Sequence, residues 1–214
     1  MYSGLYNMYN NWKDLEMVID RTKYMEMTEV RQLRTVTEAR AITDLKAGRI
    51  GGVRAWMLVD LALSTGLRVS EMAALQIKDV DLKRGCLSMI RLKRKKRIKE
   101  TLAIGKDIIQ HLKDYIASME RKKGPLFFGG RGPLTAQGLQ RIWKRSIKLA
   151  GLPKELSIHS ARHTIAVHLL KKTGNLRQVQ KQLGHASPAT TANMYADISF
   201  EDMQNGVTGL YDQQ

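Results

Sequence analysis

The chain has 214 residues, of which 43% are hydrophobic and 26% charged, with a single cysteine and a formal net charge of +16. That is enough for one fair-sized globular domain. No apolar run reaches the ~20 residues that span a bilayer, the N-terminus is no secretory leader, and Cys86 alone cannot form an internal disulfide, so a reducing cytoplasm is the expected compartment. The 36 Lys and Arg against 20 Asp and Glu are a self-repulsion that a polyanion relieves. Nucleic acid is the expected partner, and a membrane is not, because no long amphipathic helix has basic and aromatic faces.

Residues 1–34 begin rich in Tyr, Met and Asn, and "WKDLEMVI" suits a short helix. The segment is too short for its own core and is expected to be a linker or arm, with the main domain over 35–214 and a tail from 199. In "TVTEARAITDLKAG", Thr35 and Glu38 have capping-box spacing and Gly48 can end the helix. "GVRAWMLVDLALSTG" predicts a largely apolar helix that closes near Gly66, and "VSEMAAL" a shorter one. "KDVDL", "CLSMIRL" and "KETLAI" read as three short strands, with residues 83–85 as the first turn. Residues 83–99 hold nine basic side chains and no acidic one, densest at Lys93, Arg94, Lys95, Lys96 and Arg97. The flanking apolar strands make this a basic hairpin that can reach a groove or a phosphate, rather than a solvated loop.

"KDIIQHLKDYIASMERK" is an amphipathic helix closed by Gly124 and Pro125, and "PLFFGG" is extended. "TAQGLQRIWKRSIKLAG" is helical, with Arg141, Lys144, Arg145 and Lys148 on one side as expected DNA contacts. "HSARHTIAVHLLKKTG" and "NLRQVQKQLG" are two more helices, each ended by Gly. Pro188 then fits the first turn of a short helix carrying Tyr195. The expected fold class is α+β: a mostly helical domain with a small three-stranded antiparallel sheet, no internal repeat and no βαβ alternation.

Taken singly, the polar candidates are ordinary. Arg68 in "STGLRVSE" is a helix-junction arginine, and Tyr195 alone would be a packed ring. His159 and His163 stand at i, i+4, but Cys86 is remote and there is no H-E-x-x-H, so no metal site is expected. Together, two arginines, histidines, a basic hairpin and a tyrosine suit phosphodiester transesterification. Arginine forks match phosphate oxygens and can offset the extra charge of a pentacoordinate phosphorane. A cationic site favours the phenolate of a tyrosine whose ordinary pKa is about 10. A hairpin lysine can protonate the departing 5′ oxygen. Neither metal nor cofactor is required.

"STGLRVSEMAALQIKDVDL", "HSARHTIAVHLL" and "LGHASPATTANMY" resemble, in order, three boxes of the tyrosine recombinase (phage integrase) family. The resemblance covers about residues 35–200, the family's catalytic domain. It implies Arg68 and Arg162 as the phosphate clamp, His159 as the acid–base group, His185 as a hydrogen-bond donor to the scissile phosphate, and Tyr195 as nucleophile. Glu71 would orient Arg68, and His163 would support the site. The family turn is Gly-rich, and this one is not; counting back from "TLAI" puts the catalytic lysine at Lys95, with Lys93 the alternative. Residues 1–34 cannot be the family's N-terminal DNA-binding domain, so the chain is a fragment or resembles the short fimbrial phase-variation recombinases. The implied partner is duplex DNA with inverted-repeat sites, met as a monomer that forms a tetramer on DNA through its tail. A type IB topoisomerase and an inactive DNA-binding regulator are the rival readings.

Overall fold

The structure, a computed structural model, describes residues 23–93 and 96–184, with side chains omitted at 92, 93, 96 and 97. Seven helices and two small sheets are present among the described residues. In chain order they are α1 (Met27–Lys46), α2 (Gly51–Thr65), α3 (Val69–Ala74), a 3-10 turn (Ile77–Asp79), β1 (Val80–Asp81), β2 (Cys86–Lys93), β3 (Lys96–Ala103), α4 (Lys106–Ser118), β4 (Phe128–Gly129), β5 (Gly132–Pro133), α5 (Ala136–Leu149), α6 (Ile158–Thr173) and α7 (Leu176–Leu183). This is the expected α+β class, with the antiparallel sheet ordered β1-β2-β3.

The apolar stretch of α2 is central because it is buried nearly all round: Val53, Met57, Leu58, Val59, Leu61, Ala62 and Leu63 are all in the core. It packs on α1, α4, α5 and α6. Asp60 is the polar exception, 1% exposed, and it joins three helices: Arg34 of α1 reaches it at 2.7 Å, and His111 of α4 hydrogen-bonds it. Along α5 the buried positions are Leu139, Trp143, Ser146 and Ile147, a helical stripe. The Trp143 indole N–H donates to the Leu156 carbonyl at 2.9 Å.

α1 begins eight residues before Thr35. Glu26 is its N-cap, and the Glu26 amide donates to Glu29 Oε2 at 2.8 Å. Thr35 and Glu38 are interior, so their capping-box spacing is coincidental. The "KDVDL" strand shrinks to two residues after the 3-10 turn, and "PLFFGG" gains a partner in Gly132–Pro133 that was not foreseen. "WKDLEMVI" lies outside the described residues.

The turn between α1 and α2 is held by Asp44. Its Oδ1 accepts from Arg49 Nε and Nη2 at 3.1 and 2.9 Å, and its Oδ2 from the Gly52 amide at 2.7 Å. The Arg49 guanidinium holds the Asp44 carboxyl below the usual range. A Cβ on Gly52 would lie 2.8 Å from the Arg40 carbonyl oxygen, whereas one on Gly51 would meet only Asp44 Oδ2 at 3.6 Å. Gly52→Ala is therefore expected to cost roughly 1–3 kcal/mol through backbone displacement. Gly51→Ala should be neutral or stabilising by up to about 1 kcal/mol. Urea denaturation of both variants checks this; equal losses would refute the close-approach account.

Candidate active site

Gly66 ends α2 with φ of +66° and α7 ends at Gly184 with φ of +65°, a left-handed closure that glycine adopts without strain. Both closures face the inner side of α6. Arg162, 3% exposed, reaches out from α6, where Nη1 donates to the Gly66 carbonyl at 2.7 Å and Nη2 to the Leu183 carbonyl at 2.8 Å. These carbonyls stand at the negative ends of two helix dipoles, which suits a guanidinium. A Cβ on Gly66 would meet Leu183 Cδ2 at 2.6 Å and Ile165 Cγ2 at 2.7 Å, so the three elements approach closely.

Arg68 is the N-cap of α3, two residues past the α2 closure. The Arg68 amide donates to Glu71 Oε2 at 2.8 Å, and its Nη1 donates to Glu71 Oε1 at 3.0 Å. The Arg68 side chain remains 45% exposed while that of Glu71 is 8% exposed, so the guanidinium is oriented from beneath and open above.

His159, in the first turn of α6, sits near both arginines. Burial and then the charges of Arg162 and Arg68 lower its pKa. Its ring stands edge-on to that of His163, with centroids 4.7 Å apart and planes at 87°. His163 is pushed down to about 4, first by burial and then by His159, Arg162 and Lys23. Both imidazoles are neutral at pH 7, and a neutral His159 can accept a proton. Among the described residues no third His, Cys, Asp or Glu joins them as a metal ligand.

The structure thus brings together Arg68, His159 and Arg162, with Glu71 and His163 beside them. His185, Tyr195, Arg94, Lys95 and the tail from 199 lie outside the described residues. Lys93 and Lys96 face each other at the ends of β2 and β3, and Arg97 is opposite Leu92, as a basic hairpin requires. Arg141, Lys144 and Arg145 are exposed on α5, opposite its buried stripe.

Two features escaped the sequence reading. Arg91, counted only as one of the basic run, is 2% exposed and turned inward. Its register with Met89 and Leu87, two and four residues back, was the available signal. Arg54 and Arg131 also join Arg141 and Arg145. These four line a cavity of about 360 Å³ beside the β4–β5 turn, and Arg54 and Arg145 continue with Arg40 into one of about 170 Å³. Among the described residues Arg54, Arg131, Arg141 and Arg145 have no carboxylate within ion-pair distance. The run of glycines around Arg131 was the signal here. No described helix is long and apolar enough to cross a membrane.

The fold is that of site-specific recombinases of known structure. XerA recombinase superposes with a TM-score of 0.67 and 26% identity, covering 89% of this chain and 66% of that one. XerH recombinase, solved bound to its difH substrate, gives 0.65 and 24%, covering 89% and 55%. The phage integrase family model matches residues 23–202, and the chain belongs to that family. Tyrosine recombinase XerD of Staphylococcus saprophyticus is 30% identical over 195 residues, 87% of this chain and 64% of the relative. Tyrosine recombinase XerC of Thermodesulfovibrio yellowstonii is 34% identical over 156 residues, 68% of this chain and 50% of the relative. The chain therefore spans less than two thirds of these relatives' length.

The histidine pair sets a pH dependence. Folding lowers the His163 pKa from 6.5 to about 4, so between those values the unfolded chain holds more protons and stability rises with pH. The contribution is fully present above pH 6.5 and is lost as pH falls toward 4. Wild type should melt at a lower temperature at pH 5 than at pH 7.5, and His163→Gln should shrink that difference. An unchanged difference would show that His163 is not the titrating group.

Proposed function

We propose that this chain carries the catalytic domain of a site-specific DNA recombinase, which cuts and rejoins duplex DNA through Tyr195 as nucleophile. The observation that carries this reading is the convergence of Arg68, His159 and Arg162, in a chain of the phage integrase family. Arg68, half open to solvent above Glu71, offers its free donors to a non-bridging phosphate oxygen. Arg162 adds a fixed positive charge from below, where desolvation strengthens its field. His159, held neutral by burial and those same arginines, accepts the Tyr195 proton as the phenol attacks phosphorus. The 5′ oxygen leaves with a proton from Lys95 or Lys93, and His185 donates a hydrogen bond to the phosphate.

The product is a 3′-phosphotyrosyl bond and a free 5′ hydroxyl. The bond retains the energy of the broken phosphodiester, so attack by the 5′ hydroxyl of a second duplex reseals the strand without ATP. Exchange needs two cuts on each of two duplexes, hence four copies of Tyr195. In this reading inverted-repeat sites order the copies, monomers gather on DNA, and residues 199–214 make the contact between neighbours. The basic hairpin at Lys93, Arg94, Lys96 and Arg97 and the arginines Arg54, Arg131, Arg141 and Arg145 with Lys144 line the backbone track.

A nicked suicide substrate should trap the wild type as an SDS-resistant protein–DNA adduct, and Tyr195→Phe should trap none. Adduct formation by that variant would end the assignment. Contact with about six phosphates implies that log affinity falls with log salt at a slope near −5. Removing Arg54 and Arg131 together should flatten that slope by about two units. An unchanged slope in fluorescence anisotropy titrations would take those arginines off the DNA track.

A further inference from the structure

Arg91 is the one arginine of the basic run described as buried, 2% exposed, on the inward face of β2 with Leu87 and Met89. Three elements meet its guanidinium. Nη1 donates to Glu100 Oε2 on β3 at 3.0 Å. Nη2 donates at 3.3 Å to the carbonyl of Gln182, in the last turn of α7. Nε stands 3.5 Å from Glu71 Oε1, a charge contact too long for a hydrogen bond. That same Oε1 accepts from Arg68 Nη1. The group also lies close against Gly184, where a Cβ would come within 2.5 Å of Arg91 Cζ and 2.9 Å of its Cδ.

Packing does not explain a charge at this position. An inward strand residue of the same volume and no charge would stabilise the sheet at least as well, because desolvating a guanidinium offsets much of what its ion pairs return. The identity of the partners does explain it. Glu71 already accepts from the Arg68 amide and from Arg68 Nη1; with no cation on its other side, the carboxylate would turn its full charge on that guanidinium and weaken what a phosphate meets. Arg91 draws on Glu71 from the opposite side, so the carboxylate is shared and Arg68 keeps donors toward solvent. The same side chain ties the stem of the hairpin that bears Lys95 to the corner that leads into His185.

Resting on the recombinase reading above, the geometry points to Arg91 as a positioning residue, which sets Arg68 through Glu71 while locking the β2–β3 stem and the end of α7 to it. It works beneath the phosphate site and does not touch the reacting atoms. Its contribution is a fixed distance between three groups that lie far apart in the sequence.

The test separates positioning from simple stability. Arg91→Met takes a cation from beside Glu71 and Glu100, so the informative variant is Arg91→Met with Glu100→Gln, which removes one charge of each sign and keeps the volumes. It should melt close to wild type and bind DNA within about threefold, yet cleave a nicked substrate at saturating DNA roughly ten- to a hundredfold more slowly. Amide hydrogen exchange should quicken at Arg68, whose N–H rests on Glu71, and at Gly184. Arg91→Lys, which keeps the charge but not the fork, should recover part of the rate, and it carries the same comparison if the double variant does not fold. A folded variant with wild-type cleavage overturns the proposal. So does slow cleavage with unchanged exchange at Arg68, since positioning through Glu71 requires that amide to loosen. If wild type itself forms no adduct, the recombinase reading fails. The exchange measurement then decides the coupling alone, and unchanged protection at Arg68 and Gly184 overturns it.

Discussion

The two hydrogen bonds from Arg162 to the carbonyls of Gly66 and Leu183 organise this molecule. Each carbonyl ends a helix, and each would be an orphaned acceptor in a buried corner without a donor. By satisfying both, one side chain of α6 fixes where α2 turns into Arg68 and where α7 turns toward His185. Local secondary structure alone would leave those turns free to differ. An arginine is suited because its planar fork reaches two acceptors at once and keeps its charge at any physiological pH.

The electrostatics follow from that corner. Burial and then the two guanidinium groups nearby disfavour a proton on His159, and burial and the same cationic surroundings lower His163 behind it. Glu71 supplies the nearby negative charge, and it is divided between Arg68 and Arg91. The cationic field therefore survives at the exposed end of Arg68 instead of being quenched inside the protein. The four arginines about the β4–β5 turn extend that field along α5. Among the described residues none of the four has a carboxylate within ion-pair distance, so their charge is not neutralised there.

The sequence made the site more legible than the scaffold around it. Arg68, His159 and Arg162 sit in short boxes whose spacing survives translation into structure, because each box lies at or beside a helix end. Glycine marked Gly66, Gly174 and Gly184 as helix stops, and all three have positive φ. The basic face of α5 was visible because its buried stripe has a helical period. α1 was misread at its start because its N-cap is a glutamate and its pattern is confused. Thr37 and Asp44 are buried in it while Ile42 and Leu45 are exposed, and only the fit against α2 decides that. β4 and β5 are two residues each, too short for any alternation to register. Arg91 was hidden by its company, since a charge within a charged run is read as solvated, and only the strand's parity argues otherwise.

The contact between Arg91 and Gly184 bears on how sequences of this kind can drift. A glycine needed only for its positive φ can yield to asparagine at modest cost. Gly184 has that constraint and a second one, because the space a Cβ would fill already holds the Arg91 guanidinium. A side chain at 184 displaces the Arg91 guanidinium from its partners unless 91 has already lost its arginine. Loss of that arginine in turn takes a cation from beside both Glu100 and Glu71. Positions 91 and 184 therefore constrain each other, and a library that varies either one alone will under-report what the pair tolerates together.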